Sequence, residues 1–97
     1  MATYILLASY TDQGARTVKE SPKRLDAARE LAKQFGAQLK DMHLTFGAYD
    51  MVVTVEAPDD AAMAKFNLAV ASRGNIRTTT LKAFSEADFR KIVGSLP

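Results

Sequence analysis

Two runs of alternating polarity flank the four residues Gly47-Ala48-Tyr49-Asp50. In residues 39–46, Met42, Leu44 and Phe46 alternate with Asp41, His43 and Thr45. In residues 51–57, Met51, Val53 and Val55 alternate with Val52, Thr54 and Glu56. Successive side chains of a strand point to opposite faces, so a period of two predicts two half-buried strands. β-branched residues crowd the second run and suit a pleated surface. Gly47 supplies the positive φ that a tight hairpin demands, and the Asp50 carboxylate is placed to close the turn on a nearby backbone N–H. Tyr49 is read first as packing; the competing reading has Tyr49 and Asp50 offering polar groups to a cleft at the hairpin end. The remaining chain then supplies outer strands and helices around this hairpin.

A chain of 97 residues suffices for one compact domain and is too short for two. Hydrophobic residues make up 47%, so it can build a core and disorder is not expected. A domain this small has much surface for its core, which makes self-association an expectation. The net charge of +2 is too mild to argue for nucleic acid or an anionic membrane. With no cysteine, disulfides and thiolate metal sites are excluded, and a reducing compartment is compatible. The first residues lack the basic flank and length of a signal peptide, and no apolar run approaches a membrane span. A cytoplasmic location is the expectation.

Taken in order, residues 4–10 form an almost wholly apolar first strand, the kind that is covered on both faces. One cover can come from the domain's own helices; the other calls for a partner chain. Thr11 is an N-cap for a short helix through about Val18, loosened by Gly14. Ser21-Pro22 reads as an N-cap followed by a first-position proline, opening a helix that runs to about Phe35 and stops at Gly36. Leu25, Ala28, Leu31, Ala32 and Phe35 share one face of it, while Lys23, Arg24, Arg29, Glu30 and Lys33 fall mostly on the others as a solvated surface. After the hairpin, Pro58 ends the strand and Asp59-Asp60 cap a helix bearing Ala62, Met63, Phe66, Ala69 and Val70, which stops at Arg73-Gly74. Residues 75–84, with three consecutive threonines, form the fourth strand. Ser85-Glu86-Ala87-Asp88 resembles a capping box for a last helix lined by Phe89, Ile92, Val93 and Leu96.

The order β-α-β-β-α-β-α predicts an α+β fold. It is a ferredoxin-like βαββαβ unit with an extra C-terminal helix and a four-stranded antiparallel sheet. Two helices cover one sheet face. The other face, with Val52, Thr54 and Glu56, has no cover within the chain, and two such faces packed together make a dimeric α+β barrel.

Gly47-Ala48-Tyr49-Asp50 also resembles, with one residue interposed, the Gly-Tyr-Asp signature of the GYD domain family. Thr11-Asp12-Gln13-Gly14, Ser21-Pro22-Lys23-Arg24, Val55-Glu56-Ala57-Pro58-Asp59 and Gly74-Asn75-Ile76-Arg77-Thr78 are similar to the family as well, so the resemblance spans essentially the whole chain. It implies a single domain of the dimeric α+β barrel type and little about activity. Related barrel families include cofactor-independent oxygenases, isomerases, degradation enzymes, haem proteins and stress-responsive proteins.

The chemistry is sparse. The one histidine, His43, can serve as a base, a proton shuttle or a haem ligand, or be a plain surface residue. No second His or Cys exists to build a metal site with it. The serines lack a nucleophile elbow, and the glycines are isolated, so no phosphate loop is present. Asp59-Asp60 and Glu86/Asp88 sit at helix starts, where capping explains them. Tyr10, His43, Tyr49, Asp50, Arg77 and Thr80 are the candidate residues of a pocket between sheet and helices or inside a dimer barrel, with Arg77 either holding an anionic group or pairing with a strand acid. Two functions follow: a non-catalytic homo-oligomer, serving either assembly or the binding of a small ligand, without cofactor or metal, or a small cofactor-independent enzyme of the oxygenase or isomerase type. The enzyme would act on an aromatic or enolisable compound with His43 or Tyr49 as acid/base.

Overall fold

The computed structural model describes residues 1–97. Four strands, β1 (Ala2–Tyr10), β2 (Gln38–Leu44), β3 (Met51–Ala57) and β4 (Ile76–Ala83), form one sheet in the order β2-β3-β1-β4. All three pairings are antiparallel. Helices α1 (Asp12–Arg16) and α2 (Ser21–Gln34), joined by a 3-10 turn at Val18–Glu20, connect β1 to β2. Helix α3 (Asp60–Ala71) connects β3 to β4, and α4 (Glu86–Gly94) follows the sheet. This is the ferredoxin-like order expected from the sequence pattern.

The alternation of β1 and β3 decides where the core lies. Tyr4, Leu6 and Ala8 of β1, and Met51, Val53, Val55 and Ala57 of β3, are buried on one face. Helices α2 and α3 lie over that face. Ala32 of α2 and Met63 and Phe66 of α3 complete the buried cluster, with Leu25, Ala28, Leu31 and Phe35 packed against it. Phe66 is 1% exposed, and removing a ring so placed costs about 3–5 kcal/mol. Asn67 of α3 also fastens the last strand: its amide donates to Thr80 Oγ1 at 2.6 Å and its carbonyl oxygen accepts from Thr78 Oγ1 at 3.0 Å.

The caps follow local sequence. Thr11 accepts from Gly14 N, Asp59 from Ala62 N and Ser85 from Asp88 N, each satisfying an otherwise orphan amide. Ser21 departs from expectation. The 3-10 turn runs straight into α2, so Glu20 occupies the N-cap position and Ser21 is already helical. Its hydroxyl is thereby free for other partners.

The hairpin also departs from expectation. β2 ends at Leu44, and residues 45–50 form a wider connection in place of a tight turn. Thr45 N donates to Asp50 O at 2.8 Å and Thr45 Oγ1 to Tyr49 O at 2.6 Å. Gly47 takes φ +102°, as its position demanded. The Asp50 carboxylate, however, does not close its own turn. Its Oδ2 accepts from Tyr10 N at 2.9 Å and its backbone N donates to Ala8 O at 2.9 Å, tying the loop to the end of β1. An irregularity between Leu39 and Asp41 inserts Lys40 and shifts the β2 register. Leu44 (72% exposed) and Phe46 (102%) are nonetheless not core residues: Leu44 is the last residue of an edge strand, although it pairs with buried Met51, and Phe46 lies in the connection beyond it.

At the opposite end of the sheet the Tyr4 hydroxyl donates to Asp60 Oδ1, and Lys82 Nζ lies 3.1 Å from the same oxygen. The hydrogen bond to Asp60, reinforced by burial and the nearby carboxylates, pushes the Tyr4 phenol from 10.0 up to about 12. The same bond, and then Lys82, holds the Asp60 carboxyl below the usual carboxylate range. A phenol with a raised folded-state pKa stabilises the fold below its unfolded value and loses that contribution as pH rises through the folded value. Tyr4→Phe should thus lower Tm at neutral pH. The gap to wild type should close as pH climbs from 10.0 toward about 12, as measured by circular-dichroism melts across that range.

Candidate functional site

The end of the sheet where β1 stops and β4 begins is built by the residues that follow β1. Thr11 N donates to Asn75 O at 3.1 Å and Thr11 Oγ1 to Gly74 O at 2.6 Å. Gln13 Nε2 donates to Arg73 O at 3.1 Å and to Asn75 Oδ1 at 3.0 Å. A Cβ on Gly14 would fall 2.0 Å from Asn75 O, so the helix and the α3–β4 turn meet backbone to backbone there. Gly14 does not loosen α1, as its helix propensity suggested; it is the residue that lets α1 dock.

Two side chains reach across this junction. The Tyr10 hydroxyl lies 2.8 Å from Ser21 Oγ. Arg24 Nη1 donates to Thr17 O at 3.2 Å and Thr17 Oγ1 at 2.9 Å. Its Nη2 donates to Gly14 O at 3.1 Å and Ser21 Oγ at 3.2 Å. Arg24 thus caps the carbonyl end of α1 with positive charge. Every acceptor it uses is neutral.

Beneath these residues lies a groove of about 320 Å³ between the sheet and helices α2 and α3. Twelve of its 17 lining residues are hydrophobic, among them Leu25, Ala28, Met42, Met51 and Val70. Tyr10, Ser21, Arg24, Arg73 and Asn75 supply its polar side-chain groups, and none of the lining residues carries a carboxylate. The Arg73 guanidinium makes no hydrogen bond or ion pair within the chain. The volume is at the small end of ligand pockets.

Of the six residues expected to share a pocket, Tyr10 and Asp50 are joined through Tyr10 N and Asp50 Oδ2, but the six do not converge on one site. Tyr10 lines the groove. His43 and Arg77 are exposed on the opposite sheet face, at positions paired with Val52 and Ser9. Arg77 has no ion-pair partner, so the strand acid suggested for it is absent. Tyr49 and Asp50 belong to the hairpin loop, and Thr80 is held by Asn67. No cluster of three histidine or acidic side chains capable of holding a metal comes together. Sequence reading missed Ser21, Arg24, Arg73 and Asn75. Periodicity put Arg24 on the solvated face of α2, and Arg73 registered only as part of a helix stop. The one signal that could have found them is the run Arg73-Gly74-Asn75 beside the Thr11–Gly14 segment, which local pattern cannot show to be neighbours.

Residues 4–93 match the model of the GYD domain. The chain belongs to the GYD domain family. A protein of Thermus thermophilus described as "Glutamine synthetase and cystathionine beta-lyase binding protein" is 40% identical to this GYD chain over 89 residues, covering 91% of it and 94% of the relative. Among solved structures, a hypothetical protein from Pyrococcus horikoshii superposes with a TM-score of 0.59 at 24% identity, covering 89% of this chain and 93% of that one. MtbAldR superposes with a TM-score of 0.68 at 14% identity over 88% of this chain, which spans about half (52%) of that protein. At these identities the likeness shows the fold.

Gly14→Ala discriminates between the two readings of that glycine. Helix propensity alone favours alanine by about 1 kcal/mol. Forcing a Cβ into the Asn75 carbonyl should instead destabilise the GYD chain by about 1–3 kcal/mol, the usual cost of overpacking. Urea unfolding gives the sign directly.

Proposed function

We propose that this GYD chain is a non-catalytic binding protein that works in the cytoplasm as a homo-oligomer, its one domain paired sheet to sheet as an α+β barrel. The observation that carries this is the uncovered sheet face. Ile5, Leu7, Val52 and Leu81 point away from both helices, with Thr54, Thr79, His43 and Arg77 around them. Every residue of α4 is exposed, including Phe89, Ile92 and Val93 along one side, and α4 follows directly from β4.

The magnitudes support a missing partner. The chain exposes 6509 Å², whereas a compact monomer of 10.6 kDa exposes about 5,500 Å². The excess, about 1,000 Å², is of the size one partner contributes to a stable interface. The radius of gyration, 14.6 Å, likewise exceeds the roughly 12.5 Å of a compact chain of this length.

The acid/base candidates His43 and Tyr49 are not among the residues lining the groove, so the enzyme reading gains nothing from it. The Thermus relative is named for binding glutamine synthetase and cystathionine β-lyase, and we extend that kind of partner to this chain. The barrel is the self-interface; the enzyme is held on what the barrel leaves exposed.

Leu7→Glu puts a charge in the middle of the uncovered face and should convert the oligomer to a folded monomer in sedimentation velocity. If the wild-type protein already sediments as a monomer at micromolar concentration, the barrel reading fails. Titration of the wild-type protein with the glutamine synthetase of the same organism should give saturable binding in calorimetry. No heat with that enzyme or with cystathionine β-lyase would remove the partner reading.

A further inference from the structure

We propose that the groove between the sheet and helices α2 and α3 is a binding site for a small amphiphilic carboxylate: an apolar body held under the helices and a carboxylate held at the mouth by Arg73 and Arg24. This deepens the binding function above and rests on it only for the premise that the chain binds rather than converts.

The argument begins with charge. Arginine is placed at protein surfaces with little consequence, but two arginines beside an apolar groove without a lining carboxylate set up a positive mouth over a greasy floor. The two differ in role. Arg24 is fixed by four bonds to neutral acceptors, so its charge is oriented but not neutralised. Arg73 has its full fork of donors unspent, at the end of α3 that the Gln13 and Thr11 clamp holds in place. A guanidinium fork matches a carboxylate in two parallel bonds. Tyr10, Ser21 and Asn75 line the same groove and bring neutral hydrogen-bonding groups to it.

Size sets the ligand class. An apolar cavity of roughly 150 Å³ accommodates benzene. At about 320 Å³ the groove has room for an aryl-alkyl or medium-chain acid and not for a nucleotide or a long lipid. The lining offers an ammonium group no carboxylate to pair with, so a simple zwitterionic amino acid is disfavoured against an acid without an amino group.

The methionines make the test local. Met42 and Met51 line the groove, whereas Met63 is buried elsewhere in the core and Met1 is 71% exposed. With [13C]methyl-methionine protein, octanoate and 4-phenylbutyrate are titrated beside octan-1-ol and octylamine. The acids should shift the Met42 and Met51 methyls saturably and leave Met1 in place. Arg73→Gln should weaken the acids about tenfold, the worth of a charge-assisted bond, with octan-1-ol unchanged. Ala28→Leu, which fills the groove without touching the mouth, should block acid and alcohol alike. Octan-1-ol or octylamine binding as tightly as octanoate would overturn the recognition of the anion. Unmoved Met42 and Met51 methyls with both acids would overturn the site. Sedimentation of the same samples separates the two proposals: an oligomer with an unresponsive groove contradicts only this one, and a monomer that takes up octanoate contradicts only the barrel.

Discussion

The apolar side chains of β1 make a demand the rest of the chain meets only halfway. A strand with apolar side chains on both faces has two faces to bury, and β1, with Leu6 and Ala8 on one and Ile5 and Leu7 on the other, is such a strand. Tyr4, Leu6 and Ala8 are buried under α2 and α3. Ile5 and Leu7 face the other way, beside Val52 and Leu81, with no helix of the chain over them. α4 does not supply the cover, since all of its residues are exposed. Burial of apolar area at about 25 cal/mol per Å² is the largest favourable contribution open to such a surface. In the barrel proposed above a second copy is that cover, which symmetry supplies without new sequence.

The covered side has its own asymmetry. At the Tyr4 end, the hydroxyl of Tyr4, the Asp60 carboxylate and the Lys82 ammonium close the layers together. At the Tyr10 end the layers are held apart. There the Thr11–Gly14 segment grips the Arg73–Asn75 turn backbone to backbone, and Arg24 straps α1 to the start of α2. The grip fixes the ends of both helices without filling the space between them, and the groove is what remains. The family's scattered short resemblances, Thr11–Gly14, Ser21–Arg24 and Gly74–Thr78, converge at this one corner of the molecule.

Much of the fold was legible because it is local. Alternation in residues 51–57, the helical spacing of Leu25, Ala28, Leu31 and Ala32, and the caps at Thr11, Asp59 and Ser85 each follow from a few neighbouring residues. What the sequence did not disclose is non-local. Asp50 looked like turn chemistry because its partner, Tyr10 N, is 40 residues away. Gly14 looked like a weak point because the carbonyl that excludes a side chain there belongs to Asn75. Leu44 and Phe46 looked like core because the alternation runs on to the last paired residue of an edge strand and past it: Leu44 still pairs with buried Met51 yet stays exposed, and Phe46 lies in the loop. The candidate pocket suffered most. Residues chosen for polarity at strand ends fell on two sheet faces and a loop, while the arginines that rim the groove carried no pattern of their own.

The uncovered face is the claim on which the functional account turns, and the mass of the native particle tests it most directly. Native mass spectrometry from a volatile buffer at low micromolar concentration should give a multiple of the 10.6 kDa chain, two copies or more. A single chain at 10.6 kDa under conditions that preserve known dimers would contradict it, and the exposed apolar face would then need a different partner from the outset.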